Sequence, residues 1–361
     1  MKKSGFLIPA SLLLMTYASV LDAQTPSPTP AQAGNQSPFR EDRRDADIVQ
    51  INTTLVSFPV SVMDKNGRYI PHLRQEDFRI YEDGVEQQIA HFSVVEKPFT
   101  IALLLDASGS TRLRFKDIQA AAIAFIDQLR PDDRVMVISF GDRVEVLTEA
   151  TGNREVLRNA ILQAASGNGT HVYDAVDFVI NQRLNRIPGR KAAILFSDGV
   201  DNVSRRATYA SNLHDAEEAE ALIYPVQYDT FAEETTVVAV PGILAGRSPT
   251  GIVTRRTIVY PPGFGPKNYE RAGAYLRELA RKTGARYYHA DDLRTLTEAF
   301  SSIAEELRGQ YSLGYYPKML GQAGQRRQLR VKVNRRDVIT RARRSYIYGS
   351  SGQGFIERPQ S

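Results

Sequence analysis

Five oxygen-bearing side chains in three short segments have the clearest chemical potential in the sequence. They are two carboxylates and three hydroxyls: Asp106, Asp198, Ser108, Ser110 and Thr170. Such oxygens are hard ligands that suit Mg²⁺, or Mn²⁺ or Ca²⁺ in its place, with room for water and one outside ligand. The alternation in Asp106-x-Ser108-x-Ser110 lets a turning loop aim three side chains at one point. The sequence therefore predicts a site for a divalent cation.

Each of the two carboxylates follows a continuous apolar run, which is typical of a buried parallel strand. The runs are Thr100–Leu105 and Ala192–Phe196, whereas Thr170 lies in a Gly-rich loop between two expected helices. Expected strands and helices alternate here, which predicts an α/β fold with a doubly wound, mostly parallel sheet. Ligands bind beyond the carboxyl ends of such strands, so the three segments should meet at one edge.

Apolar periodicity sets the limits of the other elements of this domain. The expected helices are Phe115–Leu129, Arg154–Ala165, Tyr173–Asn185, Thr208–Leu222, Tyr269–Lys282 and Leu293–Leu307. The other expected strands are Val135–Phe140, the antiparallel edge strand Val144–Leu147, Ile223–Tyr228 and Ala285–His289.

Both ends of the chain show the period-two pattern of β-strands. The expected strands include Leu55–Met63, Asp77–Glu82, Val85–Val95, Gln310–Tyr316, Gln328–Val333 and Val338–Tyr348. A few short strands cannot bury two faces by themselves. We therefore expect the two ends to share one flanking β-sandwich-like module, into which the α/β domain is inserted. Two unrelated β extensions are the alternative.

Composition excludes several classes of site. The 361 residues include no Cys and five His, which rules out disulfides, thiolate zinc sites, iron–sulfur clusters and Cys nucleophiles. The 46 basic and 41 acidic residues nearly balance, at a net charge of +5. Nucleic-acid binding is not expected, because it usually needs one concentrated basic face.

The N-terminus has the pattern of a secretory signal peptide. Lys2 and Lys3 precede the apolar stretch Gly5–Val20, and Ala23 offers a small residue for cleavage. We expect an exported protein, periplasmic, cell-surface or secreted, with no membrane span in the mature chain. An uncleaved N-terminal anchor is the alternative, although the apolar stretch is short for a span.

These patterns divide the chain into six segments. They are a signal peptide (1–23), a disordered linker (24–45), an N-terminal β segment (46–96), the α/β domain (97–308), a C-terminal β segment (309–348) and a tail (349–361). Residues 229–266 form a long insertion whose apolar content predicts a partly ordered flap or hairpin beside the cation site. A tolerated surface insertion is the alternative.

The three segments resemble a known motif. LLLDASGS, GNGTHVYDA and ILFSDGVDN are similar to the three parts of the metal-ion-dependent adhesion site of von Willebrand factor A domains. The resemblance covers about residues 99–308. It implies that Ser108 and Ser110 bind the metal directly, Thr170 directly or through water, and Asp106 and Asp198 partly through water.

The flanks resemble a second family. VMDKNGRYIPHLRQEDFRIYEDGVEQQIAHF and YSLGYYP…RVKVNRRDVITRARRSYIY are similar to the VWFA-related Acidobacterial domain family, over nearly all of residues 49–348. Thr111 departs from that family, where many relatives carry Met, but it is not a ligand. Because function in that family is poorly defined, the resemblance implies a chemistry and no biological role.

Each candidate also has a simpler explanation. The first motif could be a strand-end turn capped by Ser and Asp, and Thr170 could cap the next helix. Asp174, Asp201 and His171 are not expected to be ligands. A basic run near the end could bind an anionic polymer or lipid, or could be a solvated strand face that protects a sheet edge. Its members are Arg326, Arg327, Arg330, Lys332, Arg335, Arg336, Arg341, Arg343 and Arg344.

The leading hypothesis is a metal-dependent protein-binding module for adhesion or scaffolding, in which an Asp or Glu carboxylate of a partner completes the cation's shell. The alternatives are a structural envelope protein with a stabilising metal and a metal-dependent hydrolase or phosphotransferase. An enzyme is not expected, because the sequence lacks a phosphate-binding Gly-rich loop and a nucleophile elbow. A phosphotransferase built on Asp106 would also want a second acid where Ser108 stands. The partner's identity and the oligomeric state stay open.

Overall fold

The computed structural model describes residues 55–95, 98–111, 114–165, 167, 169–228, 230, 236–241, 254–259 and 265–349. The predicted signal peptide, the linker and all but the first residue of the tail lie outside this part of the chain. Nothing in the structure therefore tests them, and the limits given above for the six segments stay predictions.

The described residues form strands and helices in alternation. The strands are β1 (Val56–Asp64), β2 (Phe78–Glu82), β3 (Val85–Gln87), β4 (Ile89–Val95), β5 (Thr100–Asp106), β6 (Arg134–Phe140), β7 (Val144–Thr151), β8 (Lys191–Ser197), β9 (Leu222–Tyr228), β10 (Thr236–Pro241), β11 (Thr254–Val259), β12 (Tyr288–Ala290), β13 (Gln310–Tyr315), β14 (Arg326–Val333), β15 (Val338–Arg341) and β16 (Ser345–Ile347). The helices are α1 (Phe115–Gln128), α2 (Arg154–Gln163), α3 (Val172–Asp177), α4 (Tyr209–Glu218), α5 (Pro266–Thr283) and α6 (Leu293–Arg308).

The central sheet confirms the predicted α/β class. Its strand order is β12-β9-β8-β5-β6-β7, and only β7, at the edge, runs antiparallel to its neighbour. Alternate residues of β5 enter two different cores: Leu103 and Leu105 pack with α1 and α6, whereas Leu104 packs with α3 and α5. Helices cover both faces of the sheet at β5, so the residues on both faces of this strand are apolar. This explains the continuous apolar run in the sequence.

The two chain ends share a β-sandwich, as predicted. One sheet has the order β15-β1-β13-β4 and the other β16-β14-β2-β3, so each sheet combines strands from both ends. Val56 of β1 pairs with Tyr315 of β13. A hydrophobic core that includes Phe58, Phe78 and Tyr311 lies between the two sheets. The alternative of two unrelated β extensions is wrong.

Two expected strands each divide into two. Residues 338–348 form β15 and β16, which belong to opposite sheets of the sandwich, and residues 85–95 form β3 and β4, which do the same. In each case the chain crosses from one sheet to the other at a short break that period-two alternation does not reveal. Two helices also differ: α3 continues as a π-helix over Phe178–Arg183, and α4 ends at Glu218 because Leu222 already pairs with β8.

The insertion at residues 229–266 contains a hairpin, which confirms that part of the prediction. β10 and β11 pair antiparallel with each other, from Thr236 opposite Val259 to Pro241 opposite Thr254. The residues that connect the two strands lie outside the described residues. Among the helices that the structure describes, none combines the length and the apolar character that crossing a membrane requires.

Candidate metal centre

Asp106 is the last residue of β5 and is fully buried. The Ser108 N–H donates to its Oδ1 at 3.0 Å, and the Ser197 hydroxyl donates to its Oδ2 at 2.5 Å. The Ser108 hydroxyl also bonds the carboxyl group. The Thr111 hydroxyl donates to the Asp106 carbonyl oxygen at 2.9 Å and so closes the loop that follows the strand. Asp106 and Ser108 are therefore brought together at the carboxyl end of β5.

Asp198 follows β8, the neighbour of β5, and is also fully buried. Its Oδ1 accepts the Val200 N–H at 2.9 Å, and its Oδ2 accepts the Thr230 hydroxyl at 2.7 Å. The Gln227 side-chain amide donates to the Asp198 carbonyl oxygen at 3.1 Å. Backbone and side chain of Asp198 are thus both held in place at the same edge as Asp106.

The two carboxyl groups influence each other. The pKa of Asp106 lies at about 7, well above its ordinary value, because the group is buried and because Asp198 is close. Hydrogen bonds from Ser108 and Ser197 offset only part of this increase. The charged neighbour that raises this pKa is Asp198, a second carboxyl group. A bound cation would stabilise the ionised form of these two buried carboxyl groups.

The third segment joins the other two through its backbone. The Gly167 N–H donates to the Ala107 carbonyl oxygen at 2.6 Å, next to Asp106. Thr170 is buried, its N–H donates to Asn202 Oδ1 at 2.9 Å, and its carbonyl oxygen accepts the Asn202 N–H at 3.3 Å. The three predicted segments therefore meet at one edge of the sheet. Ser110 lies in the short 3-10 turn Gly109–Thr111 of the first segment, and its side chain lies outside the description.

Two glycines permit this close approach of loops. Gly199 has φ +81°, and a Cβ there would lie 2.8 Å from Leu276 Cδ1. A Cβ at Gly141 would lie 2.9 Å from the Ala107 carbonyl oxygen. The first position needs the left-handed backbone that glycine adopts readily, and the second has no room for a side chain.

Asp174 and Asp201 have structural partners around the start of α3. Asp201 Oδ2 accepts the Tyr173 N–H at 3.0 Å, and Asp174 accepts three backbone N–H groups of residues 205–207. The Asp174 N–H donates to the Ser204 hydroxyl at 3.0 Å. These contacts satisfy the first amides of α3. The residue that immediately precedes α3 is His171, and its side chain does not cap the helix. The cap explanation for Thr170 stays an alternative.

Three residues of this edge were missed by the sequence reasoning. Ser197 and Thr230 donate hydroxyl hydrogen bonds to Asp106 and Asp198, and Asn202 holds the backbone of Thr170. Ser197 and Asn202 lie within the segment ILFSDGVDN that carries Asp198, so their position in the sequence was a usable signal. Thr230 carried no such signal, because it follows β9 and reaches Asp198 only through the parallel pairing of β8 and β9.

The donor set fits a hard divalent cation. It consists of carboxylate and hydroxyl oxygens, the ligand types that Mg²⁺, Mn²⁺ and Ca²⁺ prefer. Within the described ranges, no group of three or more His, Cys, Asp or Glu side chains is placed to hold a metal ion. The centre would therefore depend on two carboxylates supplemented by hydroxyls, water and an outside ligand, as the sequence predicts.

One family model matches the chain. It is that of the von Willebrand factor type A domain, and it covers residues 101–200. No curated protein matches the chain. The resemblance of the flanks to the VWFA-related Acidobacterial domain family stays a prediction, as does a metal-ion-dependent adhesion site.

Several solved structures have a similar fold. They include BatB from Bacteroides thetaiotaomicron (15% identity, 58% of this chain, 97% of that chain, TM-score 0.40). A von Willebrand factor type A structure from Catenulispora acidiphila covers more of the chain (12% identity, 84% of this chain, 76% of that chain, TM-score 0.42). Proximal thread matrix protein 1 from the mussel byssus was solved with a zinc-occupied MIDAS motif (12% identity, 62% of this chain, 49% of that chain, TM-score 0.42). Likenesses this distant contribute nothing to the assignment of a function.

The matched segment coincides with the candidate centre. All five predicted ligand positions fall between residues 101 and 200. The central strands β6 and β8 of the parallel sheet also lie there, as does β5 apart from its first residue, Thr100. Residues 101–200, which carry the candidate metal centre, are thus similar to the von Willebrand factor type A domain.

Proposed function

We propose that this protein is a metal-dependent protein-binding module, not an enzyme, that works outside the cytoplasm. Asp106, Ser108, Ser110, Thr170 and Asp198 would hold one divalent cation, with Mg²⁺ as the expected ion. Bound there, the cation would offer a Lewis-acidic position to an Asp or Glu carboxylate of a partner protein.

The buried carboxyl pair carries this proposal. Ionising both Asp106 and Asp198 inside the fold is unfavourable without a positive charge, as the raised pKa of Asp106 indicates. Ser197 and Thr230 hold the two carboxyl groups in fixed orientations by hydrogen bonds of 2.5 and 2.7 Å. Outer partners of this kind are typical of metal sites, where they orient the ligands.

The arrangement supports binding more than catalysis. The imidazole nearest in sequence, His171, is bonded through Nδ1 to the Gly141 carbonyl oxygen at 2.8 Å. Ser108 bonds the Asp106 carboxyl group through its N–H and its hydroxyl, and the Thr170 N–H donates to the side-chain amide oxygen of Asn202. A cation held by two carboxylates keeps part of its charge, which suits recognition of a partner's acid.

The proposal is tested by calorimetric titration of Mg²⁺ and Mn²⁺ into the purified chain after removal of metal by a chelator. We expect one site in the wild type and none in Asp106→Asn or Asp198→Asn, because each substitution replaces a charged ligand with a neutral side chain of the same shape. Asp201→Asn is the matched control. It removes a carboxylate from the same edge of the sheet, but this carboxylate accepts a hydrogen bond from the first turn of α3. It should bind the metal as the wild type does.

Partner binding is tested by pull-down from the source cells with the same variants. A protein retained by the wild type with Mg²⁺, and released by chelator and by Asp106→Asn, would support the binding module. Metal binding that raises stability while no such partner is found would favour the structural envelope alternative. Equal metal binding in all variants would overturn the proposed centre.

A further inference from the structure

In the basic run near the end of the chain, some side chains are bonded to other parts of the fold, and others form no ion pair. The fold holds four of its members: Arg326 through Glu217, Arg327 through Glu82 and Asp83, Arg341 through Glu306, and Arg343 through the Ala219 carbonyl oxygen. Within the part of the chain that the structure describes, no ion pair is formed by the other five: Arg330, Lys332, Arg335, Arg336 and Arg344. These five need an explanation other than packing.

Arg330 and Lys332 are exposed on β14, where β2 pairs on one side and β16 pairs only with Arg326–Gln328. Edge protection accounts for charged residues here but not for two like charges placed opposite each other. Lys332 is directly opposite Arg79 of β2 in the register, and like charges in that position destabilise a sheet. Arg79 has a partial counter-charge in Glu86, at 3.4 Å. The cations on this face therefore cost stability.

A groove of about 720 Å³ lies over this face and is defined here as the β14 groove. Residues that line it include Tyr81, Gln328, Arg330, Lys332, Thr340 and Arg344. The Lys332 ammonium lies 5.1 Å from the centre of the Tyr81 ring. Arg343, which the Ala219 carbonyl oxygen holds, also lines the groove. The groove thus combines four cations with neutral hydrogen-bonding groups and an aromatic surface.

We propose that the β14 groove binds an anionic polysaccharide whose carboxylates repeat along the chain. Arg330 and Lys332 are two residues apart on one strand, about 7 Å, so they can meet successive anionic groups of an extended chain. Guanidinium groups bind carboxylates in a bidentate manner, while Gln328 and Thr340 suit sugar hydroxyls. A recessed groove admits a single extended polymer, whereas a flat bilayer surface does not enter it. This site is independent of the metal centre.

The test is binding of fluorescently labelled polygalacturonate oligomers to the full chain, measured by anisotropy at low salt in the presence of chelator. We expect wild type to bind, Arg330→Gln with Lys332→Gln to bind about tenfold more weakly, and Arg330→Lys with Lys332→Arg to bind nearly as wild type. Asp106→Asn should bind normally, which separates this site from the metal centre. Circular dichroism verifies the fold of each variant.

The matched control is Arg281→Gln with Arg294→Gln, which removes two exposed cations from α5 and α6. It should leave binding unchanged. An equal loss in this control would mean that net charge alone attracts the polymer, and would overturn the proposal. So would equal binding of neutral dextran, absence of polygalacturonate binding, or binding only to phosphatidylglycerol vesicles.

Discussion

In the absence of metal, replacing Asp106 with Asn should stabilise the protein at neutral and higher pH. The pKa of Asp106 is raised from 3.8 to about 7, and each pH unit corresponds to about 1.4 kcal/mol. Keeping this carboxyl group ionised inside the fold therefore costs at most about 4 kcal/mol, an upper limit because Asp198 shares the interaction. Asn retains the acceptor that faces the Ser108 N–H.

The sign of the pH dependence follows from the same shift. Between about pH 4 and pH 7 the folded protein keeps a proton on Asp106 that the unfolded chain has lost, so the contribution of Asp106 to stability falls as the pH rises. Above about pH 7 both states are ionised and this contribution is constant. Asp106→Asn removes the penalty, and bound Mg²⁺ would remove it in the wild type.

The assay is urea unfolding followed by circular dichroism, in chelator, at about pH 5 and about pH 8. Wild type should lose stability from the lower to the higher pH relative to Asp106→Asn, and should regain it with Mg²⁺, whereas the variant should not respond to Mg²⁺. Asp201→Asn, which leaves one acceptor oxygen for the Tyr173 N–H, the Ser204 N–H and the Ser204 hydroxyl, should be less stable by about 1 kcal/mol at both pH values. If Asp106→Asn is destabilising at both pH values, the carboxylate is a structural cap and the reasoning from the buried pair is refuted.

Four further results are expected. Calorimetry across pH should show Mg²⁺ binding that tightens up to about pH 7 and then levels, because the metal competes with the proton on Asp106. Thr230→Val, which removes the hydroxyl bond to Asp198, should weaken metal binding by about tenfold or more in the same titration. Gly199→Ala should lower the free energy of unfolding by about 2 kcal/mol, measured in urea, because its φ is +81°. A Gly/Ser bridge in place of residues 232–263 should leave metal titration unchanged and abolish partner capture.

The candidate site was largely predictable because its geometry follows from strand order. Asp106 and Asp198 end two apolar runs, and parallel pairing of β5 with β8 places such ends side by side. Thr170 could be assigned because its loop is short and rich in glycine. Thr230 could not, since its contact with Asp198 depends on where the chain turns after β9, and no local pattern encodes that turn.

The sandwich was predictable in outline but not in detail. Alternating apolar residues indicated strands at both ends of the chain. Because a few short strands cannot bury both of their faces alone, the two sets were expected to pack together. The alternation continued through 338–348, however, so the crossing from β15 to β16 was hidden. Its position is set by tertiary contacts, including the Ser345 hydroxyl that donates to Glu217 of α4.

Glu217 indicates that the sandwich and the α/β domain are joined firmly. It is fully buried on α4, where its carboxylate accepts from Lys282 of α5 and from Arg326 of β14, both at 2.6 Å. Arg326 is half exposed, so its ion pair with Glu217 contributes less than a fully buried pair would. Together with the Ser345 hydroxyl, it links the sandwich to α4. α5 also carries Tyr269, whose hydroxyl lies 2.9 Å from that of Thr230 beside the candidate metal centre. A partner bound at the centre and a polymer bound in the β14 groove would consequently be held at a fixed distance from each other, as a scaffold requires.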